Sequence, residues 1–250
     1  MTVVRDEWVL VAVLAFCRIG GCVMLLPGFA SARVPPQVRL YLALAATLAL
    51  LPLVFEDVQR AVPKSREDYA IVVAAEVAAG VLIGLLARIF FIALQFAATA
   101  ITAFIGLAGT STIPIEDHDP ASPLSALVTL PASLLFLVMD LHVEVVRALC
   151  QSYAAMSAGE LIGADQSLGE LGAVLGQAFA LAVQVSAPFL VYALTVNFLF
   201  GVVNKMIPQV PAYFISVPFV LAGGLALLYV LIGPILLAFA GSFAAWLARG

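Results

Sequence analysis

Charge is what this chain has least of. Only 10% of its 250 residues are Asp, Glu, Lys or Arg, against roughly a quarter in a typical soluble domain. Hydrophobic residues make up 64%, and the mean hydropathy is +1.15. Too few polar side chains remain to cover such a surface in water, which excludes an ordinary soluble fold. Runs of lysine or arginine are missing as well, and the net charge is −4, so no nucleic-acid partner is expected. Cysteine is scarce: Cys17, Cys22 and Cys150 are odd in number and lack CxxC spacing, which excludes a disulfide framework and a zinc site. His118 and His142 are too few and too far apart for a histidine metal site. GxSxG, HExxH, Walker and GxGxxG motifs are all absent. We therefore expect no enzyme, no cofactor and no metal.

What the chain does have is long apolar runs. Trp8–Pro27 is interrupted only by Arg18, and Leu40–Phe55 follows before the polar loop Glu56–Asp68 with Pro63. Tyr69–Ala87 contains Glu76, and after Arg88 no charge occurs until Glu116. Another run begins at Leu124, between Asp119 and Asp140. Between Glu170 and Lys205 lie 34 uncharged residues, and between Lys205 and Arg249 lie 43. Helices through the last two would be about 50 and 65 Å long, more than the ~30 Å of hydrocarbon in a bilayer. Pro188 is expected to kink the first, and Gly223-Gly224 with Gly233-Pro234 to break the second into a hairpin.

The fold expected is all-α: a polytopic helical membrane protein of about six to eight apolar segments, with broken helices and hairpins. One membrane domain over residues 1–250 is expected, with no fused soluble domain. Ala30-Ser31-Ala32 has the small residues of a signal-peptidase site. The run before it is long, holds Arg18 and follows Asp6-Glu7, so we expect the segment to stay. If every segment simply crosses, Arg5, Arg60, Lys64, Arg66 and Lys205 fall on one side, and Arg33, Arg39, Arg88, Arg147 and Arg249 on the other. Five against five sets no orientation.

Two charges sit deep in apolar runs. Arg18 is about 15 Å along a helix from Trp8, too far to snorkel, so it must face protein, water or a bound partner. Glu76 poses the same problem. Arg88 lies about 18 Å further along that helix and cannot pair with it, whereas an Arg18–Glu76 pair remains open. Glu76, Gly80 and Gly84 recur every four residues and share one face, where the glycines permit close helix approach. Ala79 is expected to lie off that face. Asp140, His142 and Glu144 cluster, but on a helix His142 lies roughly 200° from either carboxylate, so they read as a polar helix end at an interface. The stretch Gly106–Ser122, with Gly109, Thr110, Ser111, Thr112, Pro114, Asp119 and Pro120, reads as irregular loop.

In order along the chain, the polar and breaker residues resemble the FliR family of flagellar export-gate membrane proteins and their injectisome relatives. Arg18-Ile19-Gly20, Leu26-Pro27-Gly28-Phe29, Val34-Pro35 with Arg39, and Pro52 ending the second run carry the resemblance first. Glu76-x-x-x-Gly80-x-x-x-Gly84, Asp119-Pro120, Asp140-x-His142, Ser152-Tyr153 and Gly159 follow. Ala187-Pro188, Asn197, Gly201, Lys205 and Pro208-Gln209 are the most specific, with Pro218 and Gly223 beyond. The sequence departs from the pattern at Lys205, where arginine is more usual, at Pro211, and in a loop before Pro120 that is slightly long and lacks aromatics.

The resemblance implies a channel-forming subunit that passes unfolded flagellar substrates across the inner membrane. It implies assembly in a helical spiral with FliP-like and FliQ-like subunits, near FlhB and FlhA and against membrane lipid. It makes Gly106–Ser122 a channel-closing loop. Arg18, Glu76, Gly80, Gly84, Asn197, Gly201, Lys205, Pro208 and Gln209 become helix-packing or subunit-contact residues. An injectisome gate subunit of the same family is one alternative. A secondary transporter of a small solute is another, suited by broken helices and mid-segment charges but expected to show inverted repeats, which are not visible here.

Overall fold

The computed structural model describes residues 2–30, 34–63, 68–107, 123–155, 159, 164–207, 209 and 212–248. Seven helices occupy them: α1 Thr2–Leu25, α2 Pro36–Ala61, α3 Asp68–Phe104, α4 Pro123–Val138, α5 Leu141–Ala155, α6 Ala164–Met206 and α7 Ala212–Leu247. No strand occurs among the described residues. Five helices are long and apolar enough to cross a membrane, or up to six spans if α4 and α5 count as one bent pair. The protein is an all-α, polytopic membrane protein.

Local chemistry sets most of the ends. After α1 the chain turns through Leu26-Pro27-Gly28, where Gly28 takes a φ of 86°. Pro36 opens α2 at a position that needs no N–H donor. The helix does not end at Pro52 or give way to loop at Glu56; it runs on to Ala61, with Val54 and Val58 buried on its inner side, and Val62-Pro63 follows. α3 starts on Asp68, a favourable charge for a helix N-terminus. It closes in a Schellman turn: Gly106, at φ 81°, donates to Ala103 at 3.2 Å, and Leu107 to Thr102 at 3.0 Å. Between α4 and α5 the chain breaks at Met139-Asp140, with Asp140 at φ 55° and a bend of 64°.

The hairpin expected in the last apolar run does not form. α7 is one helix through Gly223, Gly224, Gly233 and Pro234, and α6 is one helix through Pro188. The glycine pair is a notch, not a break. A Cβ on Gly223 would overlap the Tyr192 hydroxyl, and one on Gly224 would overlap Ile105 Cγ2. Tyr192 crosses from α6 and donates its hydroxyl to the Phe219 carbonyl at 2.6 Å. Tertiary packing thus overrides a helix penalty of about 1 kcal/mol per glycine.

The described chain falls into two compact units. The first comprises Met1–Ile89, Phe136–Leu175 and Ala244–Gly250. Here α1 packs on α2 and α2 on α5. Val11, Leu14, Ile19, Val54 and Val58 are buried with Leu141, Val145 and Leu149, and Trp8 meets Phe55 with ring centroids 4.2 Å apart. The second unit comprises Phe90–Leu135 and Gly176–Phe243. Its core holds an aromatic cluster in which Phe91 lies edge-on to Phe239 at 4.9 Å and Phe90 edge-on to Phe243 at 5.6 Å.

Candidate functional site

The two charges buried in the apolar runs meet. Arg18 of α1 and Glu76 of α3 are both 0% exposed. The Arg18 Nε donates to Glu76 Oε2 at 2.8 Å and Nη2 to Oε1 at 2.9 Å, a bidentate ion pair. Taking two charges out of water costs several kcal/mol per ion, offset only by good geometry and further hydrogen bonds. Those bonds are present. The Gly159 N–H donates to Glu76 Oε1 at 2.8 Å. Arg18 Nη1 reaches Ser152 Oγ at 3.4 Å, and the Ser152 hydroxyl donates on to the Leu149 carbonyl at 2.7 Å. The ring of Tyr153 lies under the guanidinium, 4.1 Å from Cζ to centroid. Helices α1, α3 and α5 and the chain beyond α5 therefore converge on one buried charge cluster.

The glycines on the same face of α3 make the approach close enough. A Cβ on Gly80 would overlap the Arg18 carbonyl oxygen and stand 2.8 Å from its carbon. One on Gly84 would stand 2.7 Å from the Cys22 oxygen, and one on Gly21 would stand 3.2 Å from the Val77 oxygen. Both α3 glycines meet a residue 62 positions earlier, so α1 and α3 run in the same direction. Ala79, expected off this face, is 1% exposed. The reason is that α3 is buried on more than one side, with Ala75 and Leu86 covered too.

The remaining residues singled out in the sequence lie elsewhere. Asn197, Gly201 and Lys205 share an exposed face near the end of α6, four residues apart, and a Cβ on Gly201 would have no described neighbour within 4 Å. Gln209 stands exposed in a turn between α6 and α7, while Pro208 lies outside the described residues. Of the proposed loop, Gly106 is in the Schellman turn that ends α3. Gly109, Thr110, Ser111, Thr112, Pro114, Asp119 and Pro120 lie outside the described residues.

In the sequence, Ser152, Tyr153 and Gly159 are points of resemblance only, with no role of their own. Gly159 has a φ of 84°, and a Cβ there would stand 3.3 Å from Val72. Glycine at 159 was the available signal, and it became legible only once Glu76 had a place.

Comparison with known proteins places the chain in a family. Residues 9–246 match the family described as bacterial export proteins, family 1. The flagellar biosynthetic protein FliR of Caulobacter vibrioides is 27% identical over 220 residues, covering 88% of this chain and 87% of that protein. FliR of Aquifex aeolicus is 26% identical over 230 residues, covering 90% and 86%. FliR of Escherichia coli is 24% identical over 225 residues, covering 88% and 81%. The match runs from α1 to α7, nearly the whole chain: the chain belongs to family 1 of the bacterial export proteins, the FliR family.

Proposed function

We propose that this chain is a structural, channel-forming subunit of the flagellar protein export gate in the bacterial inner membrane, helping unfolded substrates across. Its partners in this reading are FliP-like and FliQ-like subunits in a helical spiral, near FlhB and FlhA. The role is structural and involves no catalysis.

The observation that carries the proposal is the outward surface of α6 and α7. Phe179, Leu194, Phe198, Phe214, Tyr229 and Leu237 are all exposed, a surface far too apolar for water. Yet Asn197 and Lys205 lie exposed on the same helix as Phe198, and both are costly against lipid. Large apolar side chains mixed with isolated polar ones suit a contact with other protein chains; on sequence grounds Pro208-Gln209 belongs to the same contact.

Purification in mild detergent tests this. The chain should emerge with FliP-like and FliQ-like chains, whereas one running alone or as a homo-oligomer would favour a solute transporter and overturn the proposal. On sequence grounds we also propose that the segment from Gly106 to Ser122 closes the resting channel. Deleting residues 109–118 should then leave assembly intact and make membranes leaky to small ions. A tight, assembled complex would reduce the segment to a connector.

A further inference from the structure

Helix α5 differs from the other helices in how it divides its surface. Leu141, Val145, Leu149, Ser152 and Tyr153 face inward and are 1–7% exposed. Asp140, just before the helix, then Glu144, Arg147 and Gln151 follow the spacing of a single helical face, within about 60° of one another. All of them point outward: Arg147 and Glu144 are 61% and 44% exposed at the side chain, and Asp140 and Gln151 are exposed. The preceding helix is the reverse. On α4 the outward positions at the same spacing are Leu127, Leu130, Leu134 and Leu137, each 42–62% exposed.

Four environments are open to the α5 stripe. Lipid is excluded by the energy of placing two carboxylates, a guanidinium and an amide against hydrocarbon. An amphipathic helix can rest in the headgroup layer, but only by sinking its apolar face into lipid, and that face of α5 is already filled by the protein core. A charged neighbouring subunit is not called for. Arg147 Nη1 donates to both carboxylate oxygens of Glu144, at 2.8 and 3.0 Å, so the central charges neutralise each other within the stripe. Water remains, and it satisfies the donors and acceptors that this pair leaves over.

We propose that the outward face of α5 borders an aqueous space in the assembled gate, and that the break at Met139-Asp140 marks where the chain leaves apolar surroundings for water. The proposal rests on the export-gate reading only in naming the assembly. It makes α5 a water-facing wall that follows directly on the apolar outward face of α4.

Single cysteines test it in the full chain: Glu144→Cys, Arg147→Cys and Gln151→Cys on α5, with Leu130→Cys and Leu134→Cys on α4 for comparison. Membranes holding the assembled complex are opened by freeze–thaw, so that a charged, membrane-impermeant maleimide reaches both aqueous sides. Labelling is read by mass against the parent chain, so that the native thiols cancel. The α5 thiols should react at least about tenfold faster than the α4 thiols, because the reagent reaches only thiolates in water. Slow reaction at all five positions in the complex would overturn the proposal. Fast reaction of α5 in the free chain but not in the complex would overturn it too, because a neighbour would then cover the stripe. Co-purification of the same variants with partner chains is scored separately; its loss for the parent chain would count against the gate reading alone.

Discussion

Arg18 and Glu76, 58 residues apart, form a two-pronged ion pair with neither side chain open to solvent. Removing either partner strands the other as a buried, uncompensated charge, at a cost of about 3–5 kcal/mol. Arg18→Met alone and Glu76→Leu alone should each cut the level of folded protein sharply. The double variant should recover much of it, since an apolar pair of similar volume is often neutral or better. Thermal unfolding in detergent of the three variants decides this; additive losses would mean that the pair is not the source of the effect.

Gly80 should not tolerate even alanine. In an open helix that change ordinarily gains about 1 kcal/mol. Here the added methyl would overlap the backbone of Arg18, which cannot yield as a side-chain tip can, and overpacking of this kind costs about 1–3 kcal/mol. Ala78→Leu, at an exposed position of the same helix, should be close to neutral. Unfolding temperatures of the two variants give the comparison, and equal values would place the tight face elsewhere.

Gly201 separates fold from assembly. With no described atom within 4 Å of its missing Cβ, Gly201→Ala should stabilise the isolated chain by about 0.5–1 kcal/mol. If a neighbouring helix uses that opening, the same variant should weaken co-purification with the gate chains. A stabilised chain that assembles normally would take Gly201 out of the interface.

Tyr192 and Gly223 should be coupled. Tyr192→Phe loses the bond to the Phe219 carbonyl, worth about 1 kcal/mol. Gly223→Ala drives a methyl into the Tyr192 ring. In a Tyr192→Ala background that penalty should largely vanish, and a double-mutant cycle measured by unfolding in detergent reads the difference. Strict additivity would show that the contact does not act.

Gln209, exposed in the α6–α7 turn, is the last candidate for a subunit contact. Gln209→Leu should leave the isolated chain stable and weaken co-purification or motility. Wild-type behaviour in both assays would strike it from the contact residues.

The parts of the fold legible in the sequence are those set by short-range chemistry. Gly106, where the irregular stretch begins, marks the end of α3 because it constrains its own backbone. Pro52 and Glu56 misled: α2 runs through both to Ala61, held by the burial of Val54 and Val58. Gly223-Gly224 misled as well. Whether two glycines break a helix depends on what lies across from them, and Tyr192 and Ile105 are distant in the chain. Arg18 and Glu76 each demanded a partner on sight, but their pairing depended on α1 and α3 running parallel, which no local pattern expresses. Ser152 and Gly159 carried no chemistry of their own until the pair they serve was in place.

The same parallel pairing has a consequence for how the two helices find their alignment. Gly80 and Gly84 stand one turn apart and offer α1 two equivalent notches. Sliding α1 by a single turn would move Arg18 about 5 Å along α3, out of reach of Glu76 and away from Ser152. It would also press one α1 backbone contact against Glu76 or Arg88, which carry side chains where the glycines carry none. The two notches act as a ruler and the single pair of opposite charges as its index mark, and both admit the same one setting.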